Sequence, residues 1–152
     1  MLRVYIDTSV IGGCLDDEFA EWSLQLMQEF RDGKKVAVLS DITLQELEIA
    51  PELVISQLKE LPPDCREYVT LDGEAVQLAR AYLREGVLTE KYLLDAQHIA
   101  VATLGRVDVM VSWNFKHIVN LNRIRLYNSV NLKLGYPMIE IRSPREVLDE
   151  KI

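Results

Sequence analysis

Three acids and one amide stand where short apolar runs end or helical runs begin. They are Asp7 in VYIDTSVI, Glu46 in SDITLQELE, Asp95 in DAQHIAVAT and Asn114 in VSWNFKH. Asp7 closes an apolar run and is followed at once by two hydroxyl residues, Thr8 and Ser9. If Val4 to Ile6 form a buried strand, Asp7 sits where that strand leaves the sheet, the edge at which open α/β folds bind ligands. A carboxylate there either caps the helix that follows or holds a cation together with other acids. Whether other acids converge on it decides between the two. Asp95 interrupts the apolar run Leu93-Leu94-Asp95-Ala96 and shares a helical face with His98, Ile99 and Ala102. An acid among leucine and alanine needs a partner.

Oxygen donors gathered in one crevice suit Mg²⁺ or Mn²⁺ rather than zinc. Such an ion makes bound water a nucleophile and stabilises charge on a phosphoryl oxygen. Without it, three close carboxylates repel and at least one takes up a proton. Taken singly, each residue has an ordinary reading: Asp7 an N-cap, Glu46 a solvent-facing helix charge, Asn114 a turn residue. His98 lies one helical turn after Asp95 and reads as a hydrogen-bonded structural histidine near the site. His117 either contacts phosphate or packs on its loop.

The elements that must position these residues follow from periodicity. Leu2–Ile6, Lys35–Ser40, Tyr68–Leu71, Asp108–Ser112 and Met138–Ile141 read as strands. Between them, Phe19–Arg31, a segment from Asp41 or Thr43 to Glu48, Pro51–Leu61, Asp72–Glu85, a helix capped at Thr89 and running to Leu104, and Leu121–Leu134 read as helices. Ser143-Pro144 opens a terminal helical turn. Strands separated by helices imply a mostly parallel sheet of about five strands covered on both faces. Asp7 and Asn114 then share one edge, and Glu46 and Asp95 reach it from early helical turns. No linker or repeat divides the 152 residues, so 1–152 reads as one domain.

Bulk composition narrows the class. No apolar run reaches the ~18 residues of a membrane span, and MLRVYIDTSV has no signal-peptide layout; a soluble, cytoplasmic protein is expected. Cys14 and Cys65 form no CxxC pair, which argues against structural zinc and a disulfide framework. The formal net charge of −7 opposes nonspecific binding of nucleic acid over the whole surface. It leaves room for a local basic track, because Val109–Ile139 holds no Asp or Glu but contains Lys116, Arg123, Arg125 and Lys133.

In their order and spacing these motifs resemble the PIN domain, the nuclease fold of VapC-like toxins and several RNA-processing proteins. IDTSV resembles the opening motif, TLQELE the helix acid, DAQHIAVAT the central Asp with its alanine-rich helix, and VDVMVSWNFKHI the strand and the acid position after it. The resemblance covers nearly the whole chain. It implies a three-layer α/β/α fold around a parallel sheet and Mg²⁺- or Mn²⁺-dependent cleavage of single-stranded RNA. Carried over by motif, Asp7 and Asp95 are the main metal ligands and Glu46 a ligand directly or through water. Asn114 holds a water, metal or phosphate, and Thr8, Ser9, Lys116, His117, Arg123 and Arg125 are candidates for substrate contact. A small antitoxin and a homodimer are the implied partners.

The departure is Asn114, where many members of the family carry Asp: an amide still accepts or ligates but brings no charge, which weakens the case for a second ion. Asp108 begins its strand, at the wrong end to compensate, and reads as structural. The rival within the fold is a degenerate PIN domain that binds RNA or protein without cutting. Other phosphate chemistries fit less well. A haloacid-dehalogenase-like phosphatase needs a second Asp two residues after the first, where Ser9 stands. A phosphoacceptor receiver domain wants an acidic pair after the first strand. A dinucleotide site needs a glycine-rich turn, and Gly12-Gly13 comes too late.

Overall fold

The apolar runs VYI, VAVL and VMV are unbroken because both of their faces are covered, as in parallel sheets flanked by helices. The computed structural model describes residues 1–149. Strands β1 (Leu2–Ile6), β2 (Lys35–Ser40), β3 (Arg66–Val69), β4 (Val109–Val111) and β5 (Ile141–Arg142) form a sheet in the order β3-β2-β1-β4-β5, with every pair parallel. Eight helices accompany it: α1 (Thr8–Gly12), α2 (Ala20–Arg31), α3 (Asp41–Leu47), α4 (Glu52–Lys59), α5 (Gly73–Arg84), α6 (Leu93–Leu104), α7 (Leu121–Lys133) and α8 (Pro144–Val147).

Alternation along the strands builds two cores. Val4, Ile6, Leu39 and Val111 pack with Val10 of α1 and with Leu26 and Phe30 of α2. Tyr5, Val38 and Met110 pack on the other face with Leu78 and Tyr82 of α5 and Ile99 of α6. The result is the expected three-layer α/β/α architecture around a parallel sheet. Among the described residues no helix is long and apolar enough to cross a membrane.

Local sequence sets the helix starts. The Ser40 hydroxyl accepts from the Thr43 amide at 3.4 Å, Asp72 from Ala75 at 2.9 Å and Asn120 from Arg123 at 3.2 Å, each satisfying an otherwise free helix N–H. Thr89 makes no such bond. A 3₁₀ turn, Glu90–Tyr92, intervenes, and α6 begins at Leu93.

Two strands lie slightly away from their expected spans. β3 starts at Arg66 rather than Tyr68, pairing Ala37 with Arg66 through Ser40 with Val69. It is an edge strand, and edges tolerate the charges of Arg66 and Glu67 that hide it from an apolar search. β5 starts late because the backbone of Ile139 is already engaged by the Asn128 side chain, which accepts from its N–H at 2.7 Å and donates to its carbonyl at 3.1 Å.

Strand order reverses between β1 and β4. β2 lies on one side of β1 and β4 on the other, so the connections leaving their C-terminal ends part and open a crevice. Asp7 and Ser112 are the first residues past the two strands at that crevice. Asp108 lies at the opposite edge, where its carboxylate accepts the Arg3 backbone N–H at 2.7 Å, a structural use.

Candidate active site

Asp7 stands at the N-cap position of α1, yet its side chain makes no capping bond. Its two oxygens are instead held by hydroxyls: Ser9 Oγ donates to Oδ1 and Ser112 Oγ donates to Oδ2, both at 2.6 Å. The hydroxyls are themselves fixed, since Ser9 accepts the Trp113 amide and Ser112 the Asn114 amide, each at 2.9 Å. Asp7 is only 5% exposed. Burial pushes its carboxyl above the usual range, against the opposing influence of His98 and the two hydroxyls.

Asp95 enters from the first turn of α6. Asn114 Nδ2 donates to its Oδ2 at 3.3 Å, and His117 Nδ1 lies 3.3 Å from the same oxygen. Partial burial raises its carboxyl as well. The negative charge of Asp7 adds to that, while His117, His98 and Asn114 pull the other way. Asp7 and Asp95 thus sit in one neighbourhood, where the charge of Asp7 makes that of Asp95 harder to keep.

Glu46, on α3, is partnered differently. Its Oε1 lies 2.7 Å from His98 Nε2. Burial opposes its charge, but the hydrogen bond and charge of His98 outweigh that and hold the carboxyl below its usual value.

The remaining expected residues divide into free and committed groups. Thr8 Oγ1 is buried, makes no well-formed hydrogen bond, and lies beside the Glu46 carboxylate, whose charge it helps to hold. Asn114 Oδ1 accepts the His117 amide at 2.9 Å, closing the turn after β4. His117 is buried against the Tyr92 ring, with centroids 3.8 Å apart. Arg123 is tied to backbone, donating to the carbonyls of Lys116 (3.1 Å) and Val87, so it braces the loop. Lys116 and Arg125 are exposed.

Ser112 was not among the expected residues. Nothing local marks it, because its partner Asp7 lies 105 positions away. Trp113 is also part of this edge. Its indole stacks on Phe19, with centroids 4.2 Å apart and an interplanar angle of 14°, and its Nε1 donates to Ser23 Oγ at 2.8 Å.

The donor set fits a hard cation that keeps much of its water. Buried Asp7 and half-buried Asp95 both have raised proton affinity, the charge of Asp7 contributing to that of Asp95, and the buried Thr8 hydroxyl makes no well-formed hydrogen bond. Among the described residues no group of three His, Cys, Asp or Glu side chains converges tightly enough to hold a metal. The fit therefore rests on the two aspartates, hydroxyl oxygen and water.

No family model matches the chain, and no curated protein matches it. Solved structures do. Over 93% of its length it is similar to a chain in the structure of VapBC2 from Rickettsia felis bound to a DNA fragment from their promoter, covering 98% of that chain with a TM-score of 0.59 at 13% identity. Over 75% of its length it is similar to VapC20 of Mycobacterium tuberculosis, a sarcin-ricin loop cleaving toxin, covering 92% of that chain with a TM-score of 0.57 at 14% identity. The chain has the PIN fold of VapC toxins. At these identities the likeness establishes the fold alone, and the chemistry rests on the residues that the PIN fold gathers at its β1–β4 crevice.

Proposed function

We propose that this chain is a Mg²⁺- or Mn²⁺-dependent endoribonuclease that cuts single-stranded RNA, acting as the toxin of a toxin–antitoxin pair. The observation that carries the reading is the pairing of buried Asp7 with half-buried Asp95 at the strand-order reversal of a PIN fold, the charge of Asp7 adding to the raised carboxyl of Asp95. Asp7 and Asp95 would hold the cation, with the Thr8 hydroxyl beside them and Glu46 acting through water. Bound there, the ion supplies polarisation of a phosphoryl oxygen and a more acidic water.

The chain's own residues do the rest. Ser9 and Ser112 fix both oxygens of Asp7, and Asn114 and His117 orient Asp95. Glu46, held charged by His98, accepts a hydrogen bond from the attacking water and aims it at phosphorus. Asn114 donates its amide to Asp95 and lends its oxygen to the turn, so it serves the first ion's ligand and offers little to a second. Exposed Lys116 and Arg125 meet the RNA backbone, while Arg123 contributes by shaping the loop. An antitoxin partner and a homodimer, implied by the resemblance, belong to the same reading.

A second reading is a non-catalytic PIN domain, favoured by the lack of a three-ligand cluster among the described residues. One experiment separates the two. Purified protein is incubated with a pool of single-stranded RNAs with Mg²⁺, with Mn²⁺, or with EDTA. The nuclease reading predicts discrete fragments with either ion and none with EDTA; intact RNA with both ions supports the binding module.

A further inference from the structure

A buried hydrogen-bonded chain stands behind the site, and only its last link, from His98 to Glu46, enters the chemistry above. It begins at Ser40, the N-cap of α3, whose hydroxyl accepts the Thr43 amide. Ser40 Oγ lies 2.8 Å from the Tyr5 hydroxyl on β1, and that hydroxyl lies 2.6 Å from His98 Nδ1 on α6. His98 Nε2 then meets Glu46, back on α3. Tyr5 is fully buried and His98 is 3% exposed. The links run unbroken from Ser40 through Tyr5 and His98 to Glu46, from the start of α3 to its last turn.

We propose that Tyr5 and His98 are positioning residues for Glu46. They hold its carboxylate in one orientation at the crevice and thereby set the rate of the cleavage step without touching RNA. The proposal rests on the nuclease reading of the site. Three physical points support it. A glutamate at the edge of a cleft has three rotatable side-chain bonds, and a single fixed donor removes much of that freedom. A carboxylate only accepts, so His98 Nε2 must carry a proton. The ring cannot turn to release Glu46 without breaking its bond to Tyr5, whose own ring is locked in the core. Partners of this kind, one bond removed from a site's polar residues, typically contribute between about 10- and 100-fold.

The test combines kinetics with an independent readout. Tyr5→Phe removes a single oxygen and leaves the core packed. His98→Leu removes both bonds, and His98→Gln keeps a donor for Glu46. With folding checked by circular dichroism, Tyr5→Phe and His98→Leu are expected to lower kcat by about 10- to 100-fold at near-constant KM, and His98→Gln is expected to recover part of the loss.

A double-mutant cycle decides whether the route runs through Glu46: in a Glu46→Ala background, which leaves His98 no carboxylate to hold, His98→Leu should cost nothing further. Full additivity, wild-type kcat in folded Tyr5→Phe and His98→Leu, or an effect on KM alone overturns the proposal. Ring ¹⁵N shifts of His98 are read without RNA. A protonated Nε2 is expected, and an unprotonated Nε2 overturns the proposal even if the wild type proves to cut no RNA, which is the result that would defeat the nuclease reading itself.

Discussion

Asp95→Asn is expected to be inactive and more stable than the wild type. The amide oxygen can still accept from Asn114 Nδ2 and from His117, so the local hydrogen bonds survive. What is lost is the negative charge, and with it the cation. Cleavage should fall on the order of 10³-fold, about 4 kcal/mol of transition-state stabilisation.

The stability gain has a definite pH signature. Burial raises the Asp95 carboxyl in the folded protein, with repulsion from Asp7 in the same direction. Between the unfolded value, about 3.9, and the raised folded value, the native state binds more protons than the unfolded chain. Wild-type stability therefore falls as pH rises through that window. Asn does not titrate, so the variant's advantage in Tm is absent near pH 3 and full above the folded value. Thermal melts of both proteins at pH 3.5 and pH 7.5 check it; a variant that melts lower at pH 7.5 contradicts the assigned strain.

The same change at Asp7 is expected to be less benign. Both of its oxygens accept from hydroxyls, and Ser112 Oγ also accepts the Asn114 amide. An NH₂ in either position would confront a donor.

Gly13→Ala should be the most damaging single methyl in the region. Gly13 has φ −59°, ordinary helical backbone, so nothing conformational requires glycine there. An alanine would gain up to about 1 kcal/mol in helix propensity. The obstacle is space: a Cβ would lie 2.6 Å from Ser23 Oγ and 2.7 Å from Trp113 Nε1. Those two atoms are bonded to each other, and Ser23 also donates to the Val10 carbonyl at 2.8 Å, so neither can withdraw alone.

Overpacking and a lost buried bond together cost roughly 3–4 kcal/mol, which outweighs the propensity gain and leaves a net loss of about 2–3 kcal/mol. Displacing Trp113 also pulls on Ser9, its backbone partner, and so on the clamp around Asp7. Urea unfolding should show a lower midpoint at unchanged slope, with a reduced kcat. Wild-type stability in this variant would mean that the Trp113 indole is not seated as described.

Much of the fold was legible because local chemistry and tertiary position agree. The run into Asp7, the capped start at Asp72 and the acid within the apolar start of α6 each carry their own signal. What was hidden depended on distant pairing. Ser112 reads as the end of a strand, and only the parallel alignment of β1 with β4 turns it into a clamp on Asp7. His98 follows Asp95 by one turn, yet its hydrogen bonds go to Glu46 and Tyr5, because α3 and β1 approach it from other parts of the chain. Arg123 looks free in a basic stretch, but the turn after β4 folds its guanidinium against two carbonyls. β3 escaped full definition because an edge strand needs no apolar alternation.

The most direct test of the account is a calorimetric titration of Mn²⁺ into the wild-type protein beside Asp95→Asn, both shown to be folded. Two repelling aspartates that need a cation predict saturable binding in the wild type and its loss in the variant. Equal binding by both proteins, or no heat with the wild type at millimolar Mn²⁺, would contradict the claim that Asp7 and Asp95 form a cation site.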